Sequence, residues 1–445
     1  YYDVAFIGRG YSISTYLHMA DLSWCNKIAI IGGTDAWANT IRGEGIINHR
    51  NTLVSRVGVE RHGGGNDMPT RGALVNSNAA IINSVANSPD TDNIKGIVKS
   101  IARETVSLKK SRIVEDNQSI YRPVGSDDDT AVFKRKPGSE VKLYKITYLT
   151  IADGHSGAVH DSNETVVYAL KVVYGAGAGP HKPPLPDVLR DLNIAGYVNN
   201  KVVTYPADAQ VMDLDTFMRR CDTLANPNAI DNPPDINVAL VGPNAGIDAA
   251  VKALSVNNIT LHWLIRGSEN IRPAWLPTKH YTINRNNVDH SGDAAVALAE
   301  NRITYYRRAR TAINNNVNEP DISITLTPNQ GVNQVINVDY YVFAIGQDPE
   351  LEERVGNEII RIGAANVLKP ILDDEKLLPV YDSNQRYGQW FESALGLRDA
   401  HASKYTGLEV IGAAAFGLSI RGGNPPVKQN FVGSSIRGEQ LALLS

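Results

Sequence analysis

Short runs of apolar residues that end in glycine are the most regular pattern in the chain. The first run starts after Asp3 and ends at Gly8 and Gly10, and a helical spacing of apolar residues follows it. A second run starts after Lys27 and ends at Gly32. Short continuous apolar runs are typical of strands buried in a parallel sheet, and glycines mark the turns. The start of the chain is therefore predicted to form strand, tight turn, helix and strand, which is a βαβ unit.

The pattern changes to alternating apolar and polar positions between Gly96 and Lys171. Alternation of this kind is typical of antiparallel strands with one covered face. We therefore predict an antiparallel meander over about residues 96–170, inserted into the first domain. The chain then returns to an apolar run that ends at Gly175, and several prolines follow it.

The pattern of strand, glycine and helix occurs a second time from residue 236 onward. An apolar run there ends at Gly242, another covers residues 259–265, and a third ends at Gly346. Strands that alternate with helices predict a parallel sheet. The predicted fold class is α/β, with two Rossmann-like domains of which the first is discontinuous and carries the meander. The predicted limits are residues 1–195 with 350–445 for the first domain and 196–349 for the second.

Composition and charge limit the functions that the chain can have. A net charge of −3 over 445 residues gives no broad basic surface for nucleic acid. No run reaches the roughly 18 to 20 apolar residues that a membrane helix requires. The two cysteines, Cys25 and Cys221, form neither a C-x-x-C pair nor part of a metal-ligand cluster. These observations predict a cytoplasmic protein that binds neither nucleic acid nor membranes, although a removed leader would leave export open.

The first glycine turn has the chemistry of a dinucleotide site. In the pattern G-x-G-x-x-G, the first two glycines allow a tight turn and let a pyrophosphate approach the backbone at a helix N-terminus. Gly8 and Gly10 occupy these positions. Ile13 stands at the third glycine, and Gly32 stands where a ribose-binding acid is usual, so Asp35 is the candidate to provide that carboxylate. A glycine turn with a purely structural role is the alternative.

The second glycine turn differs at its middle position. Gly242 holds the first position and Gly246 lies in the same turn, but Asn244 replaces the middle glycine, and asparagine tolerates left-handed backbone better than most residues. Arg266 follows the next predicted strand, where an arginine can pair with a 2′-phosphate. We therefore expect NADPH rather than NADH at this turn. A solvent-facing arginine at a strand end is the alternative.

These motifs, in this order, resemble the two-dinucleotide-binding-domain flavoproteins, which include thioredoxin reductases, flavin-containing monooxygenases and N-hydroxylating monooxygenases. The resemblance covers nearly the whole chain, and it includes Gly175 and Gly346, which are similar to the family's glycine turns at the crossings between domains. It implies FAD in the first domain and NADPH in the second. A fifth motif near the C-terminus contains Gly412, but Ala413 replaces the family's aspartate, so backbone amides would have to hold the cofactor there.

The segment after the second predicted strand is similar to segments that run past the flavin in this family. The resemblance implies that Trp37 covers the adenine or the flavin ring, that Arg42 offsets negative charge, and that His49 approaches the reactive face. His49 is thus the candidate catalytic residue, and a packed tryptophan with ordinary loop histidines is the alternative. The candidate cofactor-binding residues are Gly8, Gly10, Ser12, Asp35, Trp37, Arg42, Gly175, Gly242, Asn244, Gly246, Arg266, Gly346 and Gly412.

Redox chemistry is the leading functional prediction. No G-x-S-x-G, H-E-x-x-H or G-x-x-x-x-G-K-[ST] motif occurs, so hydrolysis and phosphoryl transfer lack their usual residues. The resemblance implies an FAD-dependent oxidoreductase that uses NADPH, with monooxygenation of a small-molecule substrate as the expected reaction. A flavin-dependent oxidase or reductase and a non-catalytic flavoprotein or interaction module are the alternatives. The sequence leaves open whether the chain is a monomer or a homo-oligomer.

Overall fold

The structure is a computed structural model of the chain. It describes residues 1–20, 22, 25–33, 71–107, 140–151, 164–177, 179–183, 202–205, 210–224, 235–242, 246–265, 283–285, 288–290, 293–307, 310–314, 322–327, 332–355, 357–375, 407–411 and 414. The strands are β1 (Tyr2–Ile7), β2 (Ile28–Gly32), β3 (Thr91–Ser107), β4 (Glu140–Thr150), β5 (Glu164–Tyr174), β6 (Val202–Tyr205), β7 (Val211–Asp213), β8 (Ile236–Val241), β9 (Ile259–Ile265), β10 (Ile283–Arg285), β11 (Val288–His290), β12 (Ile303–Arg307), β13 (Arg310–Asn314), β14 (Ile322–Thr327), β15 (Gln334–Val338), β16 (Tyr340–Phe343), β17 (Glu352–Val355), β18 (Glu358–Ile362) and β19 (Leu408–Val410). The helices are α1 (Tyr11–Met19), α2 (Arg71–Ala86), α3 (Leu214–Leu224), α4 (Gly246–Ser255), α5 (Asp293–Arg302) and α6 (Ala364–Glu375).

The first sheet has six strands around a parallel centre. β1 lies between β2 and β5 and is parallel to both, with Ile7 beside Tyr174 on β5. β19 pairs in parallel with the other edge of β5. Val4 and Phe6 pack against α1 and α2 on one face of the sheet. Ala5 and Ile7 pack on the opposite face, in the cluster that includes α6 and the long strands. Because both faces are covered, β1 is mostly apolar.

The antiparallel meander predicted over residues 96–170 is present. β3 pairs in parallel with β2 as far as Lys95, and from Gly96 onward it pairs antiparallel with β4. β5 pairs antiparallel with β4 as far as Ala169 and then in parallel with β1. Two long strands therefore belong both to the parallel sheet and to the meander.

The second sheet contains five parallel strands in the order β12, β9, β8, β16 and β7. Helices α3, α4 and α5 cover one face, where Trp263 is buried. The antiparallel sheet of β13, β14 and β15 covers the other face, with Ile324 and Leu326 packed in the same cluster as Tyr341 and Phe343. This arrangement confirms the predicted α/β class and the second Rossmann-like unit.

After the second sheet the chain returns to the first. β17 pairs with β6 and β18 in a small sheet of three strands. α6 then packs against the first sheet through Val367, Leu368 and Ile371. The first unit is therefore discontinuous, as expected, while the exact domain limits stay predictions.

Membrane insertion and cysteine chemistry can be addressed for the described residues. None of the helices found there combines the length and apolar character that crossing a bilayer requires. Cys221 is buried among the helices of the second sheet, whereas Cys25 is half-buried at the edge of a cluster in the first. The same parts of the chain contain no group of His, Cys, Asp and Glu side chains placed to hold a metal ion.

Candidate dinucleotide-binding sites

In both parallel units, the first strand of the βαβ motif ends in a glycine with left-handed backbone. Gly8 follows β1 with a φ of 106°, and Gly242 follows β8 with a φ of 123°. Residues with a side chain rarely adopt such φ values. The amide of Gly8 donates to the carbonyl oxygen of Ile31 at 2.7 Å, and that of Gly242 donates to Leu264 at 3.3 Å. Each turn therefore starts beside the end of the next strand of its unit.

Each of these turns is also packed against another turn of the same sheet. A Cβ on Gly8 would lie 2.8 Å from the Cα of Ala176, and a Cβ on Gly242 would lie 2.2 Å from the carbonyl oxygen of Ala344. Side chains do not tolerate backbone contacts this short, so only glycine fits at either position. The paired turns lie at the carboxyl edges of the strands, which is where ligands bind in open α/β sheets.

The helices that follow the turns direct their N-terminal amides toward the same edges. α1 begins at Tyr11, immediately after Gly10, which provides no side-chain cap. The first turn of α1 contains no acidic residue. α4 begins at Gly246 and gives the second turn a similar arrangement. A helix N-terminus carries partial positive charge and amides without intrahelical partners, so each edge suits a bound pyrophosphate.

Different residues pack closely behind the turn in the two sites. In the second site, a Cβ on Gly246 would lie 3.0 Å from the ring of Trp263. The indole nitrogen of Trp263 donates to the carbonyl oxygen of Gly242 at 2.8 Å and holds that turn. In the first site Ile13 is fully buried, and a Cβ on Gly175 would lie 2.8 Å from its Cδ1. Glycine at 175 thus provides the space that the motif's third glycine normally provides.

Arg9 lies where dinucleotide-binding βαβ units usually have a ribose-binding carboxylate. The residue is only 9% exposed, and its side chain crosses Gly32 at the end of β2. A Cβ on Gly32 would lie 2.9 Å from the Cγ of Arg9, so an acidic side chain at 32 and Arg9 in this position exclude each other. A guanidinium group donates hydrogen bonds and accepts none. The end of β2 therefore carries a cation beside the first turn.

The two connections between the sheets run side by side. His181 on the first connection and Gln347 on the second form an antiparallel bridge. The amide of Lys182 donates to the carbonyl oxygen of Gly346 at 2.8 Å. Gly346 has a φ of 106° and forms the turn that leaves β16. The crossing is therefore held by hydrogen bonds between both connections.

A group of titratable side chains lies at this crossing. We call it the crossing cluster, and its members are His181, Asp213, Asp215, Glu353 and Arg361. The Oδ2 of Asp215 accepts a hydrogen bond from Nη2 of Arg361 at 2.7 Å and lies 3.0 Å from Nε2 of His181. Burial, followed by the neighbouring Asp213 carboxylate, raises the pKa of Glu353 to about 8. Burial alone would raise the pKa of Asp213 as well, but His181 and Arg361 bring it below its ordinary value.

The predicted cofactor residues fall into three groups. The glycines that the structure places at the two pairs of turns are Gly8, Gly10, Gly175, Gly242, Gly246 and Gly346. Ser12 lies in α1, where only its backbone is described. The candidates that lie outside the described residues, whose roles stay predictions, are Asp35, Trp37, Arg42, His49, Asn244, Arg266 and Gly412.

Sequence patterns did not single out Arg9 or the crossing cluster. Arg9 stands at a variable position of the glycine motif. The sequence feature that could have indicated its position is the glycine at residue 32, where an acid is usual. The cluster has no sequence signal, because its members are spread from residue 181 to residue 361 and meet only in the folded chain.

Comparison with known proteins gives one sequence relative of note. No protein-family model matches the chain. The chain is 25% identical over 431 residues to the effector protein hopAD1 of Pseudomonas syringae pv. tomato, a match that covers 94% of this chain and 56% of that protein. The chain thus spans about half the length of this relative.

Solved structures similar to the chain include three monooxygenases. DfoA of Erwinia amylovora, a cadaverine monooxygenase bound to FAD, is 10% identical, with 100% of this chain and 93% of DfoA covered at a TM-score of 0.49. The lysine monooxygenase NbtG of Nocardia farcinica is 12% identical, with 98% and 99% covered at 0.42. A flavin-containing monooxygenase from Stenotrophomonas maltophilia is 10% identical, with 99% and 97% covered at 0.46. Identities and TM-scores this low support no argument from these proteins. The fold is therefore described from the two parallel sheets and the turns of the chain itself.

Replacement of Gly242 by alanine should destabilise the second unit. The added Cβ would meet Ala344 in a strained backbone conformation, and we expect the free energy of unfolding to fall by about 3 kcal/mol. Urea denaturation measures the change. Gly33→Ala is the matched control, because no described atom lies within 4 Å of its Cβ and its φ is not left-handed. Equal stability of the two variants would contradict the packing of the Gly242 turn.

An acidic residue introduced at position 32 should collide with the side chain of Arg9. Gly32→Glu should lower the free energy of unfolding by about 1–2 kcal/mol, because its Cβ would displace Arg9. The double variant Arg9→Ala and Gly32→Glu should recover the part of the loss caused by the contact, as thermal melts can show. Gly33→Glu adds the same side chain in open space and should be nearly neutral. A double variant that is no better than the sum of its two single changes would refute the contact.

Proposed function

We propose that the chain is an FAD-dependent oxidoreductase that takes electrons from NADPH. The observation that carries this proposal is the repeat of strand, left-handed glycine and helix in two separate parallel sheets, at Gly8 and at Gly242. Each turn suits one pyrophosphate. Two such turns in one chain suit two dinucleotides, and FAD with NADPH is the pair that the family resemblance implies.

The chain's own contribution in this proposal is to bind and orient the cofactors. Gly8, Gly10 and the first amides of α1 would hold the pyrophosphate of FAD, and Gly242 with the first amides of α4 would hold that of NADPH. At the adenosine end of the first site, Arg9 would donate to ribose or phosphate oxygens in place of the usual carboxylate. FAD, when bound, supplies the two-electron chemistry that no side chain provides.

Monooxygenation of a small-molecule substrate is the proposed reaction. Cys25 packs in a cluster of the first sheet and Cys221 in a cluster of the second, so these two residues do not form a redox-active disulfide. Without that acceptor, electrons from the flavin would pass to oxygen or to a small molecule. An oxidase or a reductase would use the same cofactors and is the alternative outcome.

A non-catalytic role, as an effector or interaction module, is the second candidate. The match to the effector protein hopAD1 along most of this chain favours it. Arg9 and Gly32 favour it too, because they depart from the residues by which dinucleotide folds usually bind ribose. In that case, the turns would keep their geometry for the stability of the fold alone.

The absorption spectrum of the purified chain separates the two candidates. After incubation with excess FAD and removal of unbound cofactor, we expect a yellow protein whose flavin bands are bleached by NADPH without oxygen. A protein that stays colourless would support the non-catalytic role. When oxygen is admitted, an oxidase reduces one oxygen molecule to hydrogen peroxide for each NADPH that it oxidises, whereas a monooxygenase with its substrate produces less peroxide than the NADPH consumed.

Arg266 should determine the choice between the two nicotinamide cofactors. Arg266→Ala should raise the KM for NADPH by about tenfold or more, because a charged hydrogen-bond partner of the 2′-phosphate is lost. The KM for NADH, which has no such phosphate, should change by less than about twofold. Arg266→Lys keeps the charge and should lie between wild type and Arg266→Ala. Equal changes for both cofactors would remove the reason to expect NADPH.

A further inference from the structure

The crossing cluster joins parts of the chain that belong to different sheets. Asp213 ends β7 of the second sheet, and Asp215 lies in the first turn of α3, which covers that sheet. Glu353 lies on β17 and Arg361 on β18, which lead into α6 on the first sheet. His181 lies on the first connection. Contacts within the cluster are therefore contacts between the two units.

The centre of the cluster is almost shielded from water. The side chain of Asp215 is 3% exposed and that of His181 is 6% exposed. Arg361 reaches the same carboxylate from the other unit. Removal of one partner from a buried ion pair leaves an uncompensated charge, which is strongly unfavourable. The two units are therefore favoured in the orientation in which Asp215 and Arg361 meet.

Glu353 and Asp213 are two buried carboxyl groups of the cluster that affect each other's protonation. The Oδ1 of Asp213 accepts a hydrogen bond of 2.6 Å from the backbone amide of Thr216 and so caps α3. Among the described residues, no donor reaches the Oδ2 of Asp213 or the Oε2 of Glu353, and both atoms are buried. After burial, the neighbouring Asp213 carboxylate is the largest cause of the raised pKa of Glu353. A proton on Glu353 removes the repulsion between the two groups, since two neighbouring buried carboxylates resist joint ionisation.

We propose that the crossing cluster fixes the orientation of the NADPH-binding unit against the FAD-binding unit, with Asp215, Glu353 and Arg361 as positioning residues. The proposal rests on the proposed function, because orientation affects hydride transfer only if both cofactors bind. The charged groups that act on Glu353 come from β7, α3 and β18 and are Asp213, Asp215 and Arg361. His181, on the first connection, acts on the neighbouring Asp213. A negative charge on Glu353 adds to those of Asp213 and Asp215 and weakens the contact between the units.

The direction in which the stability of the folded chain changes with pH follows from the proton on Glu353. The folded chain keeps this proton, whereas the unfolded chain releases it near the ordinary pKa of 4.5. The stability that the proton provides is therefore complete below that pH and is lost as the pH rises through about 8. Asp213 has the opposite shift, so its contribution is lost only in acid.

Hydrogen exchange of the intact chain tests the cluster without any cofactor. After correction for intrinsic rates, amides of α3, β17 and β18 in the wild type should exchange about fivefold faster at about pH 9.5 than at about pH 7. In Glu353→Gln the increase should be absent, because glutamine carries no charge at either pH. Glu352→Gln is the matched control, since it makes the same change one residue earlier, where the carboxylate pairs with Arg354 on its own strand. It should behave as the wild type, and the same pH response in Glu353→Gln as in wild type would overturn the proposal.

Flavin reduction by NADPH tests the positioning role. Arg361→Met should slow reduction by about tenfold or more, with the dissociation constants of FAD and NADPH changed by less than about twofold. Arg361→Lys should recover part of the rate. An unchanged rate in Arg361→Met would overturn the role in positioning. A chain that binds no flavin would defeat the proposed function instead, while hydrogen exchange would still decide whether the cluster holds the units together.

Discussion

The absence of a side chain at two glycines is the constraint on which both candidate sites depend. Gly8 and Gly242 adopt left-handed backbone where a Cβ would collide with Ala176 and Ala344. The turns of neighbouring strands can therefore touch, and the helix that follows each turn begins at the same edge of its sheet. Backbone amides then converge at that edge, which is the arrangement that binds pyrophosphate.

The first site differs from the common motif at two positions. At each of them, a second residue of the chain occupies or leaves the space that the difference creates. Ile13 takes the place of a glycine, and Gly175 leaves the space that its side chain fills. Gly32 takes the place of an acid, and Arg9 lies across it. Neither change disturbs the turn itself, because Gly8 keeps its left-handed backbone and α1 begins directly afterwards. The chain thus keeps the geometry of the glycine turn and changes the position where a ribose-binding acid is usual.

Local patterns were enough to predict the central strands of both parallel sheets, among them β1, β5, β8 and β9, together with the meander and both glycine turns. Apolar runs that end in glycine report burial on both faces of a strand, which depends on neighbouring positions in sequence. The long-range contacts could not be predicted, because Ile13 meets Gly175 and Asp215 meets Arg361 across more than a hundred residues. Periodicity carries no information about such contacts. The roles of Trp37 and the other candidates outside the described residues rest on sequence alone.

The orientation of the two units links the turns to any reaction between their ligands. A turn can bind its own pyrophosphate whatever the other unit does, but electron transfer requires the two reactive rings to meet. The crossing cluster lies at the point where both connections pass between the sheets.

The most direct measurement of the two-site proposal is native mass spectrometry of the chain with FAD and NADPH. One molecule of each per chain is predicted, with FAD alone lost in Gly8→Val and NADPH alone lost in Gly242→Val. Retention of both cofactors in both variants, or binding of neither by the wild type, would contradict it.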